Sequence, residues 1–298
     1  MPHRRRSPRS SGGEADAPPP ARRRPRGNQP LPAVPQAPAE RHRGGDEETY
    51  HGSHACEALF ARRPDSVVRV YLTAAVRQRF AKLIRFCSSS RRGYRLVEAD
   101  NLDRIAGTRH HEGIAILAKA IPRLPAADLF AAVATRQQTG PWLYLDGVSN
   151  PHNLGSILRT AAHFGCSAIL GREGELPPLS PAAVRVAEGA AEQVPVCDLA
   201  NPQAALERLH AFGIRLVATT SHHGTPLAAA GLTQRCVIIL GSEGTGMTRA
   251  LERLTDTTVC ITGTGAVESL NVAVAGGILL AEACRQPSGS PTRPPTAG

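Results

Sequence analysis

The stretch Cys236-Val237-Ile238-Ile239-Leu240-Gly241-Ser242-Glu243-Gly244-Thr245-Gly246-Met247 decides the fold. Its first five residues are apolar without alternation, and a glycine-rich loop follows at once. An uninterrupted run of this length suits a strand buried on both faces, as in a parallel sheet covered by helices. Four similar runs accompany it: Trp142–Val148, Ala168–Leu170, Arg215–Thr219 and Thr258–Ile261. Helical stretches separate them, and a final helix is expected from about Leu270 to Arg285. The region from 140 to 286 therefore reads as an α/β domain with a mostly parallel sheet.

Upstream, residues 49–119 alternate in the same way on a smaller scale. Ser53–Arg62 reads as a helix, Val67–Leu72 as a strand and Val76–Phe86 as an amphipathic helix. Tyr94–Val97, Leu102–Ala106 and Ile114–Leu117 read as strand, short helix and strand, which makes a second small α/β domain. Residues 120–139 form a linker with the Pro-containing stretch Ile121-Pro122-Arg123-Leu124-Pro125 and a helix over Asp128–Gln138.

The ends have another character. Residues 1–45 hold ten prolines and ten arginines against three acids, with no apolar period, and are expected to be disordered. Such a tail is either a basic arm for RNA phosphates or merely a solvated segment. Residues 287–298 share its composition. The tail carries +7 of the chain's net charge of +10, so the remainder is only mildly basic and charge alone does not identify a nucleic-acid binder. No apolar run approaches the roughly 18 residues of a membrane helix, and Met1-Pro2-His3-Arg4-Arg5-Arg6 does not begin a secretory signal. The seven cysteines are scattered without metal or redox spacing, which fits a reducing cytoplasm. The pairs His110/His111 and His222/His223 diverge in any regular element, and no metal is expected.

Ligands on parallel sheets gather at the carboxyl ends of the strands. Three loops there are unusual. The first runs from Asp146 through Ser149-Asn150-Pro151-His152-Asn153-Leu154-Gly155 to Arg159. Asn153 is placed to cap the helix that begins near Leu154, and Arg159, set among Ile157, Leu158, Ala161 and Ala162, could simply extend its head to water. The second is the loop of Gly241, Glu243, Gly244 and Gly246, where glycine lets backbone approach a ligand. The third is Ile261-Thr262-Gly263-Thr264-Gly265-Ala266-Val267-Glu268-Ser269-Leu270-Asn271-Val272, in which Ser269 or Asn271 could cap the last helix. Gly244-Thr245-Gly246 and Gly263-Thr264-Gly265 lack the third glycine of the dinucleotide fingerprint, and no phosphate-binding G-x-x-x-x-G-K-[ST] is present.

In this order and spacing the three loops resemble the signature motifs of the SpoU (TrmH-type) RNA methyltransferases of the SPOUT superfamily. The N-x-G-x-x-x-R motif is matched by Asn153, Gly155 and Arg159. L-G-x-E-x-x-G is matched by Leu240, Gly241, Glu243 and Gly246, and S-L-N-V by Ser269, Leu270, Asn271 and Val272. Arg185-Val186-Ala187-Glu188-Gly189-Ala190-Ala191-Glu192 is similar to the family's G-A-x-E stretch, and His110-His111-Glu112-Gly113-Ile114-Ala115 to the end of an L30e-like domain that many members carry. Thr262 and Ala273 depart from the usual Pro and Ser.

The resemblance implies an S-adenosyl-L-methionine-dependent methyltransferase that modifies a ribose 2′-hydroxyl of rRNA or tRNA in the cytoplasm. It implies a trefoil knot in the domain at 140–286, an L30e-like substrate-binding domain at 49–119, and a homodimer formed through the knot domain. Gly241, Ile261, Leu270 and the loop at Thr219 would hold the cofactor. Arg159 would act at the reacting hydroxyl, with Asn153, Asn271, Ser269 and Glu243 arranging the site. A non-catalytic RNA-binding or ribosome-assembly protein of the same fold is the alternative, which retention of all five polar residues disfavours.

Overall fold

The computed structural model describes residues 46–286 apart from 234, 242–250 and 252. The expectations for the tails at 1–45 and 287–298, and for Glu243 and Gly246, lie outside those residues.

The smaller sheet has four strands: β1 (Glu47–His51), β2 (Val67–Leu72), β3 (Gly93–Leu96) and β4 (Ile114–Lys119). Their order is β1-β4-β2-β3, with β4 antiparallel to both neighbours and β2 parallel to β3. Helices α1 (Ser53–Arg62), α2 (Ala81–Ser89) and α3 (Ala99–Ala106) connect them. Two differences from the sequence reading have local causes. Strand β1 was not anticipated because Glu47-Glu48-Thr49 has too few apolar residues to signal a strand, and β4 supplies its hydrogen-bonding partner. The helix expected over Val76–Phe86 is split: Ala74–Val76 form a single 3₁₀ turn, and α-helix begins only at Ala81.

The larger sheet contains β5 (Trp142–Asp146), β6 (Ala168–Arg172), β7 (Val196–Leu199), β8 (Arg215–Thr220), β9 (Thr225–Pro226), β10 (Cys236–Gly241) and β11 (Thr257–Cys260). Their order is β7-β6-β5-β10-β8-β11-β9, and every pairing is parallel. Between them lie α4 (Ala126–Ala134, ahead of β5), α5 (Pro151–His163), α6 (Pro181–Val186), α7 (Pro202–Ala211) and α8 (Val272–Arg285).

The sheet is apolar on both sides, as its unbroken runs require. Leu143, Leu145, Ile238 and Leu240 face the core built with α5 and α8. Their alternates Trp142, Tyr144, Val237 and Ile239 face a second core with α4 and α7. The first of these cores continues without interruption into the smaller sheet, through Tyr50, Leu59, Val70 and Ile116. At the junction Gly189 has φ +88°, and a Cβ there would meet the Ala58 methyl at 2.8 Å. The two sheets thus share packed interior rather than a loose tether.

The strand order places the site. After β7 the chain returns to the other side of β5, where β10, β8 and β11 lie side by side. The carboxyl ends of these three parallel strands therefore lie side by side, where open α/β sheets form their ligand-binding crevices. Among the described residues, no helix is long and apolar enough to cross a membrane.

Candidate functional site

A cavity of about 1110 Å³ opens at these strand ends. It is lined by Thr219 and Thr220 at the end of β8, Ser221 after it, Gly241 at the end of β10, the whole of 261–270 after β11, and the start of α8. Four residues expected at a cofactor, Thr219, Gly241, Ile261 and Leu270, come from three separate segments and line this one space. The Thr219 hydroxyl donates to the Ile239 carbonyl at 2.8 Å, so it fixes β8 to β10 at the cavity's edge. Residues 262–270 are all exposed, including Ser269.

Two motif asparagines meet at the edge of this region. Asn271 caps α8: its Oδ1 accepts from the backbone N–H groups of Ala273 and Val274 at 2.9 and 3.4 Å. Its Nδ2 donates to Asn153 Oδ1 at 3.1 Å, across 118 residues of chain. The expectation that Asn153 caps α5 is corrected. The cap is Asn150, whose side chain accepts from His152 N at 2.9 Å, followed by Pro151 in the first turn. Asn153 is thus freed from capping and holds the start of α8.

Arg159 stands two turns further along α5 and is exposed. Among the described residues it makes no ion pair or hydrogen bond, and it does not line the large cavity. It lines a second cleft, of about 610 Å³, with His54, His163, Glu188 and Gln193. The polar wall of that cleft is tied together across the two sheets. His54 Nδ1 lies 2.5 Å from Glu188 Oε2, and Arg185 donates to Glu188 at 2.6 Å and to Glu112. Burial pushes the Glu188 carboxyl up, but the hydrogen bonds from His54 and Arg185 outweigh it and hold the group below the usual carboxylate range. Glu112 is also held low, chiefly by the Ser53 N–H that donates to it at 2.9 Å. Among the described residues no group of three His, Cys, Asp or Glu is gathered to hold a metal ion.

Comparison with known proteins agrees with this geometry. The model of the SpoU rRNA methylase family matches residues 141–281, and that of the RNA 2′-O ribose methyltransferase substrate-binding family matches 51–123. A protein of Escherichia coli O157:H7 named as an uncharacterized tRNA/rRNA methyltransferase, YfiF, is 35% identical over 83% of this chain and 70% of its own length. The 23S rRNA (guanosine-2′-O-)-methyltransferase RlmB of Acinetobacter baylyi is 32% identical over 80% of this chain and 97% of its own. The chain belongs to the SpoU methylase family. An AdoMet-bound rRNA methyltransferase from Sinorhizobium meliloti shares the fold, with a TM-score of 0.67 and 23% identity over 80% of this chain and 87% of that one.

Two SpoU motif positions have structural reasons the sequence did not reveal. A Cβ on Gly155 would stand 2.5 Å from the Ala183 carbonyl oxygen and 2.8 Å from Val186 Cβ, so the motif glycine lets α6 lie directly on α5. Glu192, in the Gly189-Ala190-Ala191-Glu192 stretch, faces away from the cavity and accepts two hydrogen bonds from Arg63 Nε at 2.9 and 2.8 Å. Its side chain is 3% exposed. Sequence reasoning also missed His54 and Glu188 beside Arg159. They lie 134 residues apart, and no local pattern joins them.

Proposed function

We propose that this protein transfers a methyl group from S-adenosyl-L-methionine to a ribose 2′-hydroxyl of RNA, with rRNA the substrate class its RlmB-like relatives suggest. The observation that carries the reading is the convergence of Thr219, Gly241, Ile261 and Leu270 on one cavity at the ends of three adjacent strands. The lining suits an adenosine: peptide edges at Gly241 and 261–266 for its polar atoms, and Leu270, Val272 and Leu279 for its faces. When bound, the sulfonium supplies an already activated methyl group, so the protein must align an in-line attack and manage one proton.

The chain's own residues divide that work. A guanidinium serves as a cation and not as a proton acceptor. Within one subunit Arg159 lines the second cleft and not the cavity, so the RNA must span both. There it stabilises the developing alkoxide and holds a neighbouring phosphate through its planar fork, while that phosphate or a water accepts the hydroxyl's proton. Asn271 and Asn153, bonded to each other, fix the starts of α8 and α5 and so the approach of the ribose. Ser269, exposed on the cavity wall, donates a hydrogen bond near the acceptor, and Glu243 orients the site. The substrate-binding role falls to residues 49–119, and the trefoil knot to 140–286.

A homodimer completes the reading. Val267, Leu270, Val274 and Ile278 expose 38–69% of their surface along the last loop and α8, and three of them rim the cavity. A second copy covering this stripe would remove apolar surface from water at the mouth of the site. The protein acts in the cytoplasm, where its RNA substrate is.

The test is incubation with methyl-labelled S-adenosyl-L-methionine and rRNA, followed by alkaline hydrolysis. A methylated 2′-oxygen cannot attack the adjoining phosphate, so the label is expected in alkali-resistant dinucleotides. Label in mononucleotides would mean base methylation and overturn the ribose assignment. Donor binding without label on any RNA would favour a binding protein.

A further inference from the structure

The mild average charge of the folded chain conceals a segregation. From Val67 to Val97 the sequence has eight cations, Arg69, Arg77, Arg79, Lys82, Arg85, Arg91, Arg92 and Arg95, and no acid. This segment is β2, α2 and β3. It ends in β3, which among the described residues pairs only with β2 and is exposed at every residue. Tyr94 and Leu96 are each 43% exposed, although both belong to residue types that strands usually bury.

Most of these cations are not engaged in the fold. Arg79 pairs with Glu57 and Arg92 with Asp65. Arg77, Lys82, Arg85, Arg91 and Arg95 have no ion-pair partner among the described residues, and all are exposed. The register sorts the edge. Tyr94 stands beside Val70 and Leu96 beside Leu72, on the face that α2 covers. Arg95 stands beside Tyr71 on the opposite face. An aromatic ring is therefore offered at the sheet edge, with Arg91 and Arg95 close to it in sequence and Lys82 and Arg85 exposed on the neighbouring helix.

Edge strands commonly carry charges that discourage strand pairing between molecules. Such guarding works with either sign. Eight cations and no acid in 31 residues instead complement a polyanion. The opposite edge of the sheet is already occupied: β1 packs against α6, and Glu112 is held by Arg185.

We propose that the β3 edge is a docking surface for single-stranded RNA, with an unpaired base stacked on Tyr94 and phosphates taken by Arg91, Arg95, Arg85 and Lys82. A duplex keeps its base faces covered, so only a loop or single strand can use the ring. The proposal rests on the chain being directed at RNA. Because its test reads binding and not methyl transfer, the two can fail separately.

The test uses the full chain, a fluorescein-labelled single-stranded RNA 12-mer and a 12-base-pair RNA duplex, with affinities measured across a salt series. Tyr94→Ala is expected to weaken single-strand binding by about 5- to 140-fold, the range for one lost base stack, while Tyr94→Phe stays close to wild type. Duplex affinity and S-adenosyl-L-methionine binding should stay unchanged in both. The double variant Arg91→Ala, Arg95→Ala should lower the slope of log affinity against log salt by about 1.4, at about 0.7 per phosphate contact. The basic tail is the same in every variant, so any contact it makes with RNA is common to all and does not obscure these differences. Wild-type affinity in Tyr94→Ala at an unchanged melting temperature would overturn the proposal and leave the edge for a protein strand. An equal loss on the duplex, or a loss in Tyr94→Phe as large as in Tyr94→Ala, would overturn the stacking.

Discussion

Arg63→Ala should separate the unfolding of the two sheets. Arg63 lies at the seam, its side chain 15% exposed and that of Glu192 3%. Nε donates to both Glu192 oxygens, Nη1 to the Lys119 carbonyl at 2.5 Å, and the guanidinium lies 5.5 Å from the Tyr50 ring centre. Removing it strands a carboxylate at 3% exposure, whereas removing Glu192 leaves the arginine its carbonyls and its ring. The cost of breaking such a buried pair is about 3–5 kcal/mol, against about 0–1 kcal/mol for a surface pair. Arg63→Ala should sit at the upper end and Glu192→Gln well below it. Replacing both, as Arg63→Met with Glu192→Leu, leaves no buried charge and should recover most of the loss. Trp142 is the chain's one tryptophan and is buried in β5, so its fluorescence follows the larger sheet alone, while far-UV circular dichroism follows both. In urea the two signals should coincide for the wild type and part company in Arg63→Ala, with circular dichroism falling first. Coincident transitions and a cost under about 1 kcal/mol would refute the reasoning, because the pair would then be behaving as a surface bridge.

Other expectations follow from the same geometry. Gly155→Ala should destabilise by about 1–3 kcal/mol in a thermal or urea melt, because its methyl would press on the Ala183 carbonyl by more than helix propensity returns; a more stable variant would refute the packing. Arg159→Lys keeps the charge but loses the fork, so turnover should fall by on the order of 100-fold with donor affinity and melting temperature little changed; near-normal turnover would end the assignment. Glu112 and Glu188 are held below their unfolded value of about 4.3, so the stability they contribute is present above that pH and lost as pH falls through their folded values. The melting temperature should therefore drop between about pH 5 and pH 3, less steeply in the Glu112→Gln, Glu188→Gln variant; identical acid limbs would show that the cluster does not couple the sheets.

The sequence by itself determined the elements with strong local signals. Ser53–Arg62 and Val67–Leu72 begin and end where the pattern sets them, and the run Cys236–Leu240 announces a strand buried on both faces. It also set the order of the three loops, because residue types at fixed spacing within one loop survive without knowledge of the fold. What it could not determine is which distant groups meet. A parallel sheet is ordered by crossovers, so the adjacency of β10, β8 and β11, which brings three distant segments to one cavity, belongs to the tertiary structure. Asn153 shows the limit most plainly. Locally it reads as a cap, but Asn150 and Pro151 take that duty three residues earlier, and its partner is Asn271 on the last helix. Glu192 and Arg63 show the same limit, since a buried ion pair has no signature in either segment alone. Charge was misleading for a related reason: its net value averages over the chain and hides the run of cations from 67 to 97, and only the fold shows that this run ends in an exposed sheet edge.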